Sequence, residues 1–324
     1  MSAESTKEAT AEGHKVTTVV EGTDATAAAP AGKVAIVTGA SRGLGKGVAT
    51  VLANEAGFTV YATGRTTADL ERLQAECAAG PGTVIPCTLD LKDDAAVKAF
   101  VEQVKHEAGN VYVLVNSAYQ GLAAQKQHLG KKFYERPLAE YDDHLSGVRW
   151  AYATSQLVAP LMVEAKSGLI LNVSSAGGAI YLFGTPYGVM HAAIDRLAAD
   201  MATELKGTGV ACVSLWPGGA VTERSAFPVG ETPTFAGRAV AALAGAGDLA
   251  AKSGKVLMTC ELAAEYGFVD STGALPEDGP AGGPAAHKGI RAMLGAGAFP
   301  PFGGELSNYA DTNNEGFQGV FHGY

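Results

Sequence analysis

The stretch Thr38-Gly39-Ala40-Ser41-Arg42-Gly43-Leu44-Gly45 constrains this chain more than any other. It follows a short apolar run, Val34 to Val37, and opens an Ala/Val/Leu-rich segment that reads as a helix. A strand, a glycine turn and a helix start, in that order, form a cradle for phosphate. The glycines let backbone N–H groups come close to an anion, and the helix N-terminus adds a positive dipole. Glycine spacing alone is weak in a chain with 42 glycines. The strand before and the helix after supply the context that a dinucleotide turn demands. Gly39, Ser41, Arg42, Gly43, Leu44 and Gly45 are therefore assigned to a dinucleotide-binding turn.

Beyond the turn, short apolar runs alternate with longer amphipathic ones. Strands are predicted at 34–38, 59–63, 83–87, 111–115, 169–173, 210–215 and 255–259. Helices are predicted at 44–55, 68–78, 95–108, 141–165, 186–205 and 235–244. Such alternation predicts a parallel sheet with helices on both faces. The strands are β-branched and apolar at consecutive positions, as a sheet covered on both sides requires. The expected class is α/β, a Rossmann-type doubly wound parallel sheet of about seven strands in a single domain. That domain is assigned to residues 32–270. Residues 1–31, rich in Ala, Thr and Glu, read as a disordered, solvated tail. In residues 271–324 glycine and proline interleave, and this extension reads as irregular.

Composition excludes several classes. A net charge of −9 speaks against a nucleic-acid partner, because phosphate contacts want a basic face. No run approaches the roughly 20 apolar residues of a membrane span. The N-terminus has no apolar segment of a secretory signal, and Glu4, Glu8 and Glu12 do not suit a transit peptide. Cys77, Cys87, Cys212 and Cys260 lie far apart, with no CxxC and no Cys/His spacing that suits zinc. They read as buried thiols, so no metal site and a reducing, cytoplasmic location are expected.

Further motifs follow the glycine turn in order. Leu89-Asp90-Leu91 comes after the third strand and Val115-Asn116-Ser117-Ala118-Tyr119 after the fourth. Asn172-Val173-Ser174-Ser175 ends the fifth strand, Tyr187 opens the next helix, and Trp216-Pro217-Gly218 is followed by Thr222. Together they make the stretch from about Lys33 to Asp270 resemble the short-chain dehydrogenase/reductase family. Within that family the segments Pro186-Tyr187-Gly188-Val189, Ser214-Leu215-Trp216-Pro217-Gly218 and Ser253-Gly254-Lys255-Val256-Leu257 most resemble the dehydrogenase/reductase member 1-like branch. The resemblance implies an enzyme that moves a hydride between a nicotinamide cofactor and a carbonyl or alcohol substrate. It also implies that Asp90 faces the adenine, and that Asn116, Pro217, Gly218 and Thr222 border the cofactor.

Two arginines bear on which cofactor is used. Arg42 lies inside the glycine turn, and Arg65 follows the second strand. An NAD site usually places an acidic residue after that strand to hold the ribose 2′-OH, and neither Gly64 nor Arg65 is acidic. Two guanidinium groups suit a 2′-phosphate through charge-assisted, fork-shaped hydrogen bonds. NADP(H) is favoured, and NAD(H) stays open.

The resemblance implies a tyrosine that exchanges the hydroxyl proton, a serine that polarises the carbonyl oxygen, and a lysine four residues after the tyrosine. Tyr187 is the tyrosine, but the fourth residue on is His191. A neutral imidazole cannot lower a phenol pKa as an ammonium does. Three readings follow: His191 is a slower working substitute, the site binds cofactor without turnover, or another group supplies the proton. Gly147 stands where many family members carry an asparagine. The serine is ambiguous, since counting along the strand from Gly168 selects Ser175, whereas counting back from Tyr187 selects Ser174. The strand count favours Ser175, because a one-residue slip turns a side chain to the other face.

Tyr119, Tyr181, Phe183, Trp216 and Phe227 fall near predicted strand ends or the Tyr187 segment, where they wall a substrate crevice or simply pack. The lysine-bearing stretch from Gln120 to Pro137 is expected to face solvent. The predicted helices at 141–165 and 186–205 are apolar around much of their circumference, and the resemblance implies that they pair into a homodimer or homotetramer.

Overall fold

The computed structural model describes residues 33–225, 229–278 and 283–294. The assigned tail at residues 1–31, the chain beyond 294 and Phe227 lie outside these. The elements run β1 (Val34–Thr38), α1 (Gly43–Asn54), β2 (Thr59–Gly64), α2 (Thr67–Glu76), β3 (Thr83–Thr88), α3 (Asp94–Ala108) and β4 (Val113–Asn116). Then come α4 (Leu122–Gln127), α5 (Leu138–Glu164), β5 (Gly168–Val173), α6 (Thr185–Glu204), β6 (Val210–Trp216) and α7 (Pro233–Gly245). The chain continues through α8 (Leu249–Lys252), β7 (Val256–Met258), α9 (Thr259–Tyr266) and α10 (Pro284–Leu294).

One seven-stranded sheet has the order β3-β2-β1-β4-β5-β6-β7, with every neighbouring pair parallel. Strand alternation divides the core. Ala35 and Val37 of β1 face one layer, with Val48 and Leu52 of α1 and Val240 and Leu243 of α7. Val34 and Ile36 face the other, with Phe100 and Val104 of α3 and Val158 and Met162 of α5. Because both faces are covered, β1 has five consecutive buried residues. The strand order reverses between β1 and β4, and the crevice opens above their carboxyl ends.

Three stretches differ from expectation. Gln120 to Pro137 does not simply face solvent: α4 and Leu129 border the main cavity, and Arg136 is buried. The irregular reading of residues 271–324 misses α10, which begins at a proline suited to a first helical turn. Arg291 pairs with Glu261 of α9 at 2.7 Å, and Ile290 packs on the cluster of Trp216 and Met258. This docking stabilises a helix that its Gly/Pro-rich flanks conceal. The predicted strand at 255–259 is shortened because Thr259 already begins α9.

Helices α1 and α7 meet through glycines. A Cβ on Gly47 would lie 2.3 Å from the backbone of Pro233, and one on Gly237 would lie 2.7 Å from the Gly47 carbonyl oxygen. Gly47→Ala therefore forces the two helices apart. We expect it to lower unfolding free energy by about 2 kcal/mol, the usual scale of core overpacking, as measured by denaturant titration. Wild-type stability in that variant would show that the contact yields freely.

Candidate functional site

A cavity of about 1070 Å3 lies over the carboxyl ends of the central strands. Of the residues singled out in the sequence, Gly39, Ser41, Arg42, Gly43, Leu44, Gly45, Arg65, Asp90, Asn116, Ser174, Ser175, Tyr187, His191, Pro217, Gly218 and Thr222 border it.

The turn has the geometry of an anion cradle. Gly39 has φ +70°, and a Cβ there would lie 2.8 Å from Ala118 Cα. A Cβ on Gly45 would lie 2.4 Å from the Gly39 carbonyl oxygen. Both positions therefore exclude larger residues, which lets β1, α1 and the loop after β4 converge. Thr38 Oγ1 fixes that loop by accepting from the N–H groups of Ser117 and Ala118 at 3.1 and 3.3 Å. The Gly43 N–H, at the start of α1, donates to the Glu223 carboxylate at 3.0 Å. This helix end thus already holds an anionic oxygen. Arg42 caps α1 in extended backbone, and Arg65 is exposed just past β2. Neither has an ion-pair partner among the described residues.

Some expected cofactor contacts are occupied by internal bonds. Asn116 is buried, and its Nδ2 donates to Ser155 Oγ at 3.0 Å and Asn172 Oδ1 at 2.8 Å. Its Oδ1 accepts from Thr154 at 2.6 Å. The side chain therefore ties β4 to α5 and β5 at the border of the cavity. Thr222 Oγ1 bonds within its own turn, to Ser225 Oγ at 3.0 Å and the Arg224 N–H at 3.2 Å. Asp90 Oδ1 accepts from the Lys92 N–H at 3.0 Å and remains exposed.

At the other end of the cavity, α6 presents Tyr187 and His191 one turn apart, with ring centroids separated by 4.2 Å. The Ser174 N–H donates to the Leu215 carbonyl at 2.8 Å, extending the β5–β6 ladder by one residue. Side-chain alternation then sends the two serines apart. Ser175 Oγ accepts from the Gly177 N–H at 3.2 Å and borders the cavity with Tyr187, whose pKa it draws down. Ser174 is buried beneath His191, with Oγ 3.2 Å from Nδ1. A Cβ on Gly177 would lie 2.4 Å from Tyr187 Cε1, so a glycine lets the phenol ring settle there.

The electrostatics oppose a charged imidazole. Burial, followed by the nearby His144, pushes the His191 pKa down to about 3. Protonating it at neutral pH would cost roughly 5 kcal/mol. Ser174 bonds the His191 carbonyl oxygen at 3.3 Å and also reaches the Asp195 carboxylate. The Ser174 Oγ–Nδ1 contact accepts either direction, so the neutral ring carries its proton on Nδ1 or on Nε2. Desolvation pushes Tyr187 up to about 12, and Ser175 only partly offsets this. Asp195 accepts from Ser214 Oγ at 2.5 Å and Trp216 Nε1 at 3.0 Å. Its burial still raises the carboxyl to about 7.

A second polar cluster adjoins Tyr187. The Tyr119 hydroxyl lies 2.9 Å from His144 Nδ1 and 3.2 Å from Gln125 Oε1. His144 Nε2 faces Glu140 Oε1 at 3.8 Å, while Glu140 also binds Arg136 at 2.7 Å and His128 at 2.8 Å. The i, i+4 spacing of Glu140 and His144 puts both on one face of α5, and Arg136 reaches Glu140 from the extended segment before the helix, a signal that sequence inspection passed over. Desolvation lowers His144 despite the Glu140 carboxylate. Among the aromatics, Tyr119 and Phe183 border the cavity, and Phe183 packs edge-on to Tyr187 with centroids 5.1 Å apart. Trp216 is buried against Asp195 but also borders the cavity, and Tyr181 is exposed.

Comparison with known proteins identifies the family. The short chain dehydrogenase family matches residues 33–227. The human and mouse proteins named Dehydrogenase/reductase SDR family member 1 are each 41% identical over 269 residues, covering 76% of this chain and 86% of theirs. A metagenomic short-chain oxidoreductase solved with NADP is 30% identical, with a TM-score of 0.58 over 67% of this chain and 93% of its own. The chain belongs to the short-chain dehydrogenase family of oxidoreductases.

Proposed function

We propose that this chain is an NADP(H)-dependent carbonyl reductase, with Tyr187 as proton donor, Ser175 orienting the carbonyl oxygen and a neutral His191 in the place of a lysine. The observation that carries this reading is that Tyr187 and Ser175 border the same cavity as the glycine turn, with Ser175 drawing the phenol pKa down. The residues fit the cofactor. The Gly43 N–H already holds a carboxylate oxygen where a pyrophosphate would sit, and Arg42 and Arg65 are available to a 2′-phosphate. When bound, NADPH supplies the hydride.

This chain's own groups favour reduction. A phenol with a pKa near 12 keeps its proton at neutral pH and can give it to a developing alkoxide. Alcohol oxidation would instead need a phenolate, and among the described residues no side-chain cation is placed to stabilise one. His191 offers a ring nitrogen to a ribose hydroxyl. It supplies no positive charge, so the proton-transfer step runs slower than a lysine would allow. The apolar and aromatic wall formed by Phe183, Tyr119, Leu122 and Ile290 suits a hydrophobic aldehyde or ketone. The same neutral His191 supports a second reading, an NADP-binding protein without turnover.

Arg42→Ala with Arg65→Ala should raise the NADPH Kd by roughly 10–100-fold in fluorescence titration, the worth of two charge-assisted hydrogen bonds, and leave NADH binding nearly unchanged. Equal loss for both cofactors would remove the case for 2′-phosphate recognition.

His191→Lys should raise kcat for NADPH-dependent reduction on a carbonyl panel by about 100-fold, and adding Tyr187→Phe should cancel the gain. NADPH binding with no turnover in the lysine variant would favour the non-catalytic reading.

The imidazole itself can be followed by long-range 1H–15N NMR, with His191→Gln as the assignment control. Its folded pKa lies far below 6.5, so it should remain neutral from about pH 8 down to about pH 5, where free histidine gains its proton. A titration near 6.5 would overturn the neutral assignment.

A further inference from the structure

Away from the proposed reaction centre, Glu231, Cys260 and His287 come together in a buried cluster. They belong to different parts of the chain: the segment before α7, the first turn of α9, and α10. One donor atom from each lies within 4.8 Å of the other two. Cys260 Sγ is 3.7 Å from Glu231 Oε1, and His287 Nε2 is 3.9 Å from the same oxygen. Thr259 Oγ1 donates to that oxygen at 2.6 Å, while Glu231 Oε2 is fully buried with no hydrogen-bonding partner among the described residues. The residue is 0% exposed, so water does not solvate the orphaned oxygen.

We propose that Glu231, Cys260 and His287 form a zinc-binding site that fastens α10 to the body of the protein. Thiolate, imidazole and carboxylate together make the borderline-soft donor set that zinc prefers. A tetrahedral zinc with bonds of about 2.0–2.3 Å sets its donor atoms about 3.3–3.6 Å apart. The two measured edges exceed this by a few tenths of an ångström. Binding displaces the Cys260 thiol proton to solvent. Burial and the Glu231 carboxylate hold that proton on in the metal-free cluster, and the ion's charge reverses the balance. Coordination through His287 Nε2 moves the ring proton to Nδ1 and gives up the long 3.4 Å contact from the Cys260 N–H. A second cavity of about 470 Å3, bordered by Cys260, Pro284 and His287, provides a route for entry. The three ligands are 29 and 27 residues apart along the chain, so no short motif marks them, and sequence inspection expected no metal. The inference is independent of the proposed reaction.

The test uses the full chain, purified with a phosphine reductant, and titrated with Co(II) and Zn(II). The expected result is one equivalent bound, with a thiolate-to-cobalt charge-transfer absorption that zinc displaces. Cys260→Ser should abolish the absorption, and His287→Gln, on the terminal helix, should weaken zinc binding at least tenfold. Zinc should also slow amide exchange over 284–294. No bound metal in folded wild-type protein would overturn the proposal. So would a cobalt band that survives in Cys260→Ser, or zinc affinity unchanged in His287→Gln.

Discussion

The buried carboxylate of Asp195 governs how α6 meets the sheet. It accepts from Ser214 and Trp216 on β6 and reaches Ser174 just past β5, joining one helix to two strand ends. A charge that deep is costly unless hydrogen-bonded, and a pKa near 7 shows the cost is only partly met. What the carboxylate achieves is position. His191 lies one turn before it and Tyr187 two turns before it, so fixing Asp195 fixes the direction in which both rings project. Ser174, 3.2 Å from His191 Nδ1 and lowering the Asp195 pKa, links that anchor to the imidazole.

The sheet was legible because its strands are covered on both faces and leave consecutive apolar runs. The predicted order of alternating strands and helices corresponds to the seven parallel strands observed. The strand–glycine–helix turn was legible for a similar reason: its strand, glycines and helix lie within one local segment. What escaped depended on long-range partners. Asn116 sits at the position the resemblance assigns to the cofactor, yet its amide is consumed by Ser155, Thr154 and Asn172, which only the folded sheet brings near. α10 escaped because its stability comes from Glu261 and the Trp216 cluster rather than from its flanks. The Ser174/Ser175 ambiguity needed strand geometry, since the two counts differ by one residue and hence by a face.

The two ends of the cavity are built on different physical terms. At the glycine turn, backbone N–H groups and a helix dipole supply positive potential without any titratable group. This end does not depend on His191. At the other end, potential would have to come from a side-chain cation, and among the described residues none stands beside Tyr187. Arg136, a nearby buried cation, is neutralised by Glu140 at 2.7 Å and spends a further hydrogen bond on the Phe183 carbonyl at 3.0 Å. It therefore shapes the loop that carries Phe183 rather than polarising the phenol.

On the proposed reading, this asymmetry sets the direction of the chemistry. A lysine beside the tyrosine would stabilise the phenolate and so serve oxidation as well as reduction. A neutral imidazole leaves the phenol a weak acid, protonated throughout the physiological range, and able to act only as a donor to an alkoxide more basic than itself. The hydride acceptor must therefore build substantial negative charge on oxygen before the proton moves. Ser175 is placed to stabilise that charge, and the apolar surroundings that raise Tyr187 also strengthen the serine's hydrogen bond. The same desolvation that disables His191 as a cation thus supports the other half of the transfer.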